Sequence, residues 1–256
     1  LKSSHAPLAR NRRLFSCIPP AMGCNNQKKS LPQDTPSQAM SATVELSAPV
    51  DYDAEGRKIM WAAMGKSLNV DYCDLNALWT HQTSTASLYV GNHKAAEDRE
   101  VLQKLRIQCV VICLDSDQGS LHFDGEDGFS YLHYPIARWQ FCPQPAGIEW
   151  VLAPLLGFVE DSLQSGRGVL LHCLAGAHRA GTAGIVCLMH LENLEAEEAI
   201  RRAKAARPVI DPHGDFRSLL AKGQEARKVG ALRNAIEVAR EKGFAKSAAD
   251  LFRVGC

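Results

Sequence analysis

An α/β fold, built on a mainly parallel central sheet with helices on both faces, is predicted by three observations. Short apolar runs of strand length alternate with longer segments of helical period through residues 85–222. Such alternation sets strands side by side through helical crossovers. Ile107 to Leu114 and Val169 to His172 are apolar almost without a break, as strands covered on both faces are. Finally, Gly168-Val-Leu-Leu-His172-Cys173-Leu-Ala-Gly176-Ala-His178-Arg179-Ala-Gly-Thr182 reads as strand, tight loop and buried helix. In such folds active sites lie beyond the carboxyl ends of the strands, where Cys173 falls.

The elements follow in order. Leu88 to Val90 is a strand and Gly91-Asn92 a turn. His93 to Leu105 is a helix with Ala95, Ala96, Leu102 and Leu105 inward, and Ile107 to Leu114 is the buried strand after it. Asp115 to Gly128 is a polar, acidic loop, and Tyr131 to Ile136 a further strand. Pro143 and Pro145 introduce a helix from Ala146 to Gln164, and Ser165-Gly166-Arg167-Gly168 turns into the central strand. Glu195 to Ala206 is a helix with acidic residues first and basic residues last, as the helix dipole favours. Arg207-Pro208 ends it. Residues 51–84 are expected to add a helical segment on the domain, with Ile59, Met60, Ala63 and Met64 on one face and Leu75, Leu78 and Trp79 beyond them. Residues 223–256 read as a helical extension with apolar Ala231, Leu232, Ile236, Val238 and Ala239, either packed on the domain or free to hold a partner.

Composition narrows the function classes. The 256 residues carry a net charge of +1, which offers no global argument for nucleic acid or an acidic partner. No apolar run approaches the ~18 residues of a membrane-spanning helix. The nine cysteines show no CxxC pair and no metal-ligand spacing, and Cys109, Cys113 and Cys187 lie inside apolar runs. A reducing compartment, the cytoplasm, fits this usage. Residues 1–50 are rich in Ser, Pro, Ala, Gln and Asn without periodicity and read as a disordered tail. Two other readings stay open. A start at Met22 would expose Gly23 for myristoylation beside Cys24 for palmitoylation, although Gln27 stands where that motif prefers Ser or Thr. Alternatively, basic residues without an acidic one before Asp34 suit an organelle-targeting peptide.

The loop from Cys173 to Arg179 carries the chemistry. A loop feeding a helix N-terminus turns several backbone N–H groups to one point, where the helix dipole favours negative charge. That field favours a thiolate at such a position. Arg179 adds a guanidinium fork that matches phosphate oxygens. Thiolate, N–H nest and guanidinium together suit attack on a phosphate ester.

The His-Cys-x-Ala-Gly-x-x-Arg form of this stretch resembles the Cys-x5-Arg signature of cysteine-dependent phosphatases. Ser87-Leu-Tyr-Val-Gly-Asn92 resembles the opening strand of their dual-specificity branch, and Pro208-Val-Ile-Asp-Pro212 with Phe216 resembles its closing segment. The resemblance implies a protein-tyrosine-phosphatase-like fold of the dual-specificity type over roughly residues 85–220. It implies a phosphorylated protein as substrate, with Cys173 as nucleophile and no metal or cofactor. Arg179 and the backbone of Leu174, Ala175, Gly176, Ala177 and His178 would hold the phosphate, while His172 orients the loop and supports the thiolate. The loop is nearly neutral, which favours phosphoprotein over a highly phosphorylated inositol. A cysteine at the end of the neighbouring strand, here Cys113, protects an oxidised nucleophile in related phosphatases; core filling is the alternative.

Two departures from the family pattern bear on catalysis. The family places an acidic residue about thirty positions before the nucleophile, whereas Tyr131 to Pro143 contains neither Asp nor Glu and Arg138 stands near that place. An Asp from the 115–127 loop, with Asp124 and Asp127 nearest in sequence, or His178 could substitute; alternatively there is no acid and the substrate needs a good leaving group. In addition, Ala180 replaces the Ser or Thr that follows the arginine, with Thr182 two residues on. A domain that binds phosphorylated ligands without turnover is therefore the rival reading. A rhodanese-like sulfur transferase would not need these flanks.

Overall fold

The strand order puts Cys173 at the middle of the sheet. The computed structural model describes residues 50–116, 121–125, 128–142 and 147–253. The strands are β1 (Leu75–Thr80), β2 (Ser87–Gly91), β3 (Ile107–Ile112), β4 (Ser130–His133) and β5 (Gly168–His172). They form one sheet in the order β1-β2-β5-β3-β4. β5 is parallel to both β2 and β3, β3 is parallel to β4, and only β1 runs antiparallel. The predicted α/β class with a mainly parallel sheet is what forms.

Alternation along the strands feeds two apolar layers. Val110 and Leu170 face one side, where they meet Ala95, Ala96 and Leu102 from the short helices α2 (His93–Glu97) and α3 (Arg99–Lys104). Cys109, Val111, Val169 and Leu171 face the other side and join the large core. That core is closed by α4 (Ile148–Gln164) and α5 (Arg179–Leu191). The expected single helix from His93 to Leu105 is split at Asp98, which leaves helical geometry and caps α3 by accepting from the Val101 amide.

Residues 75–80 correct the expectation of a wholly helical 51–84 segment. α1 (Tyr52–Met64) is a helix, but Leu75–Thr80 pairs with β2 as the edge strand. Leu75, Leu78 and Trp79 fall at helical spacing, and a register shift between Ala77 and Trp79 lets that spacing fit a strand. The extra residue of a bulge changes which side chains share a face. Met64 is exposed, and α1 instead buries Tyr52 and Gly56. Tyr131 to Ile136 also ends earlier as a strand, with Ile136–Phe141 turning into a 3-10 helix.

After α5 come α6 (Ala196–Ala206), α7 (Phe216–Lys228), α8 (Ala231–Lys242) and α9 (Phe244–Phe252). α8 buries Leu232, Ala235, Ile236 and Ala239, and α9 buries Ala248 and Phe252. Arg240 of α8 donates to both carboxylate oxygens of Asp161 on α4. The C-terminal extension therefore lies packed on the domain, with Val238 exposed rather than inward. Among the described residues no helix is long and apolar enough to cross a membrane. The tail, with Gly23 and Cys24, and Asp127 lie outside the described residues.

Candidate active site

Residues 173–178 leave the end of β5 as a loop and enter α5 at Arg179. Every carbonyl from Leu174 to His178 is engaged from outside this loop or by the helix it enters. Leu174 accepts from the His93 amide, Ala175 from Tyr72 Oη and Arg207 Nη2, and Gly176 from Arg207 Nε at 2.8 Å. Ala177 accepts from the Asp211 amide, and His178 from the Thr182 amide and hydroxyl. Because a trans peptide points its N–H opposite to its C=O, the amides of Ala175 through Arg179 turn to the inner side. This is an anion-binding nest at a helix N-terminus.

Gly176 makes the turn at φ +66°, and an added Cβ would sit 2.5 Å from the Gly91 carbonyl oxygen. Only glycine fits there.

Arg207 is the residue that sequence reasoning missed as a positioning element. Its guanidinium is 1% exposed and also donates to the Cys73 carbonyl and Asn76 Oδ1. It stacks on the Tyr72 ring, 5.2 Å from the centroid. Asn92 donates to Tyr72 Oη, so Asn92, Tyr72 and Ala175 form a chain of contacts to the loop.

The loop gathers the predicted residues. Cys173 is 3% exposed and Arg179 1% exposed. Burial works against the Arg179 charge, but Cys173, Asp53 and Asp115 outweigh it and hold the guanidinium above its usual range. Arg179 Nη1 donates to Asp115 at 3.1 Å, Nη2 donates to Asp53, and the buried Nε has no partner among the described residues. One donor of the fork is thus open to an anion.

His172 differs from the expectation. It is completely buried, neither ring nitrogen has a partner among the described residues, and burial pulls its pKa down to about 3. A neutral imidazole supplies no countercharge, and the positive charge near Cys173 comes from Arg179 and Arg207. Cys113 is buried at the end of β3, one step past the Ile112–His172 pairing, and both it and Cys173 are free thiols. Burial pushes the Cys113 thiol up.

The substitutes offered for the acid differ in their surroundings. Asp124 lines a cavity of about 410 Å³ with Tyr131, His133 and Arg138. His178 has Nδ1 on the Asp211 carbonyl at 2.9 Å, its ring lies against Tyr52 and His213, and burial lowers its pKa. It is neutral and locked, a poor proton donor. Ligand atoms of His178, Asp211 and His213 come within 4.8 Å of one another, the group of this kind among the described residues. The Asp211 carboxylate there bonds the His213 ring. Thr182 is buried and spends its hydroxyl on the His178 carbonyl, so it does not replace the hydroxyl missing at Ala180.

The family model for the dual specificity phosphatase catalytic domain matches residues 88–225. The chain belongs to the dual specificity phosphatase family. It is 29% identical over 137 residues to dual specificity protein phosphatase 22-B of Danio rerio, covering 54% of this chain and 70% of that protein. It is 30% identical over 132 residues to dual specificity protein phosphatase 14 of Homo sapiens, covering 52% of this chain and 63% of that one. The structure of human DUSP28 superposes with a TM-score of 0.50 at 22% identity over 63% of this chain and 99% of its own, which shows the shared fold. The matched segment of this dual specificity phosphatase begins after α1 and β1, so Asp53 stands outside it.

Proposed function

We propose that this domain hydrolyses phosphate monoesters of proteins through a phosphocysteine intermediate on Cys173. The observation that supports this most is the loop itself, with its carbonyls bonded outward, its amides turned inward, and a buried guanidinium whose Nε is open. In the first step the Cys173 thiolate attacks phosphorus as the ester oxygen leaves. In the second, water displaces the thiolate and releases phosphate. Inner amides from Ala175 to Arg179 and the Arg179 fork hold the equatorial oxygens, electrostatic stabilisation aimed at the charge of the transition state. No step calls for a metal or cofactor. The nearly neutral loop, with Leu, Ala, Gly, Ala and His between Cys173 and Arg179, suits a phosphoprotein better than a polyphosphorylated ring.

A burst of p-nitrophenol release from p-nitrophenyl phosphate, equal to the enzyme concentration and absent in Cys173→Ser, is the expected result. Equal inertness of both proteins, with inorganic phosphate still bound, would favour the second reading of a phospho-ligand binder. That reading draws on Ala180, which leaves thiolate departure in the second step without a hydroxyl. For the same reason Ala180→Ser should raise steady-state turnover while the burst rate stays within about twofold. Rapid-quench kinetics separates the two steps, and a changed burst with unchanged turnover would contradict it.

A further inference from the structure

We propose that Asp53, on helix α1, is the general acid of this reaction. The proposal rests on the phosphocysteine reading and adds the proton donor that it lacks. Between Tyr131 and Gly147 there is no Asp or Glu. Among the described residues, the carboxylates that reach the Arg179 fork are Asp115, on Nη1, and Asp53, on Nη2.

Position separates these two. The leaving oxygen departs in line with the attacking sulfur, away from the end of β5 and past the rim of the loop. Asp115 reaches Arg179 Nη1 from the segment after β3, the strand beside β5, and so from the sheet. Asp53 approaches from the rim. α1 is seated there by Gly56, where an added Cβ would lie 3.2 Å from the Leu174 side chain. Ile59 and Met60 pack with Ala175 and Ala177. Tyr52, one residue before Asp53, stacks on Phe216 at 4.7 Å, lies against His178 and donates to the His213 carbonyl. Asp51 caps the helix by accepting from the amides of Asp53 and Ala54, so the first turn is fixed. The Asp53 side chain remains 47% exposed, which leaves it access to solvent protons.

The contact with Arg179 then has a role in the cycle. An incoming phosphate dianion competes for the guanidinium and displaces the Asp53 carboxylate. Released from the guanidinium, that carboxyl stands beside the ester and stays open to solvent for its proton. As the S–P bond forms and the P–O bond breaks, the Asp53 proton passes to the leaving oxygen. In the second step the Asp53 carboxylate takes a proton from the attacking water as the S–P bond breaks, restoring the acid.

The test measures the full chain with aryl phosphates from p-nitrophenyl to phenyl phosphate, by burst and steady-state kinetics. A positioned general acid contributes about 10²–10⁴-fold, and a poor leaving group needs it most. Asp53→Asn should therefore lose about that factor on phenyl phosphate and far less on p-nitrophenyl phosphate. Asp53→Glu should recover part of the rate. The proposal is overturned if Asp53→Asn loses the same factor on every ester, if it speeds all of them, or if Asp115→Asn shows the leaving-group-dependent loss instead. In each of those cases the Cys173 burst persists and the phosphatase reading stands. Absence of a burst in the unaltered protein would bring down both.

Discussion

Arg207→Met is expected to destabilise the protein by about 2–4 kcal/mol, the cost of leaving buried acceptors without their charged donor. Methionine keeps the apolar stem but leaves the buried Gly176 carbonyl without its donor, the Ala175 carbonyl with Tyr72 alone, and the part-buried Cys73 carbonyl and Asn76 side chain without their Arg207 bonds. Each buried acceptor left unpaired costs about 1–3 kcal/mol, so partial relaxation is already contained in that range. Domains of this size hold only about 5–15 kcal/mol in all, and the melting temperature should fall by roughly 10 °C. Affinity for inorganic phosphate should fall with it, because the same bonds turn the loop amides inward. Arg207→Lys should recover little: one ammonium cannot supply a planar fork to acceptors on several elements. Urea unfolding and phosphate titration check this, and a variant as stable as the parent would show that the loop holds its shape without Arg207.

That residue also shows where legibility ended. Arg207-Pro208 is visible in the chain as helix punctuation, and the local rule is sound as far as it goes. What the side chain does depends on Ala175 and Gly176, 32 and 31 residues earlier, and on strand β1. The catalytic loop was legible because its parts are contiguous: strand, Cys173, glycine, Arg179 and helix succeed one another within a single stretch. Asp53 had no such context, since 126 residues separate it from Arg179 and nothing in its own neighbourhood marks a site. Periodicity misled where geometry is irregular. β1 carries a helical spacing because a bulge absorbs it, and Asp98 breaks a helix that apolar spacing alone would continue. Residue type suggests His172 as a support for the thiolate and His178 as a proton donor. Burial, which only the folded chain supplies, removes both roles.

Arg179→Lys should lower kcat by about 10³-fold or more. A guanidinium that stabilises the charge of phosphoryl transfer is worth about 10³–10⁵, and lysine offers a point charge in place of a planar fork. The site amplifies the difference. Arg179 serves Asp53 and Asp115 at once while its Nε stays open, so substrate can bind before both carboxylates have let go. A lysine ammonium held between the two carboxylates has no such spare edge, and phosphate must displace one of them to be bound at all. KM should therefore rise together with the fall in kcat, whereas loss of a purely transition-state contact lowers kcat alone. Asp115→Asn in the Arg179→Lys background should then recover part of KM, since it removes one competitor for the ammonium. A single-turnover series on the single and double variants reads this directly. If Arg179→Lys stays within about tenfold of the parent protein, the inner amides carry the phosphate and the guanidinium serves chiefly to hold Asp53 and Asp115 over the loop.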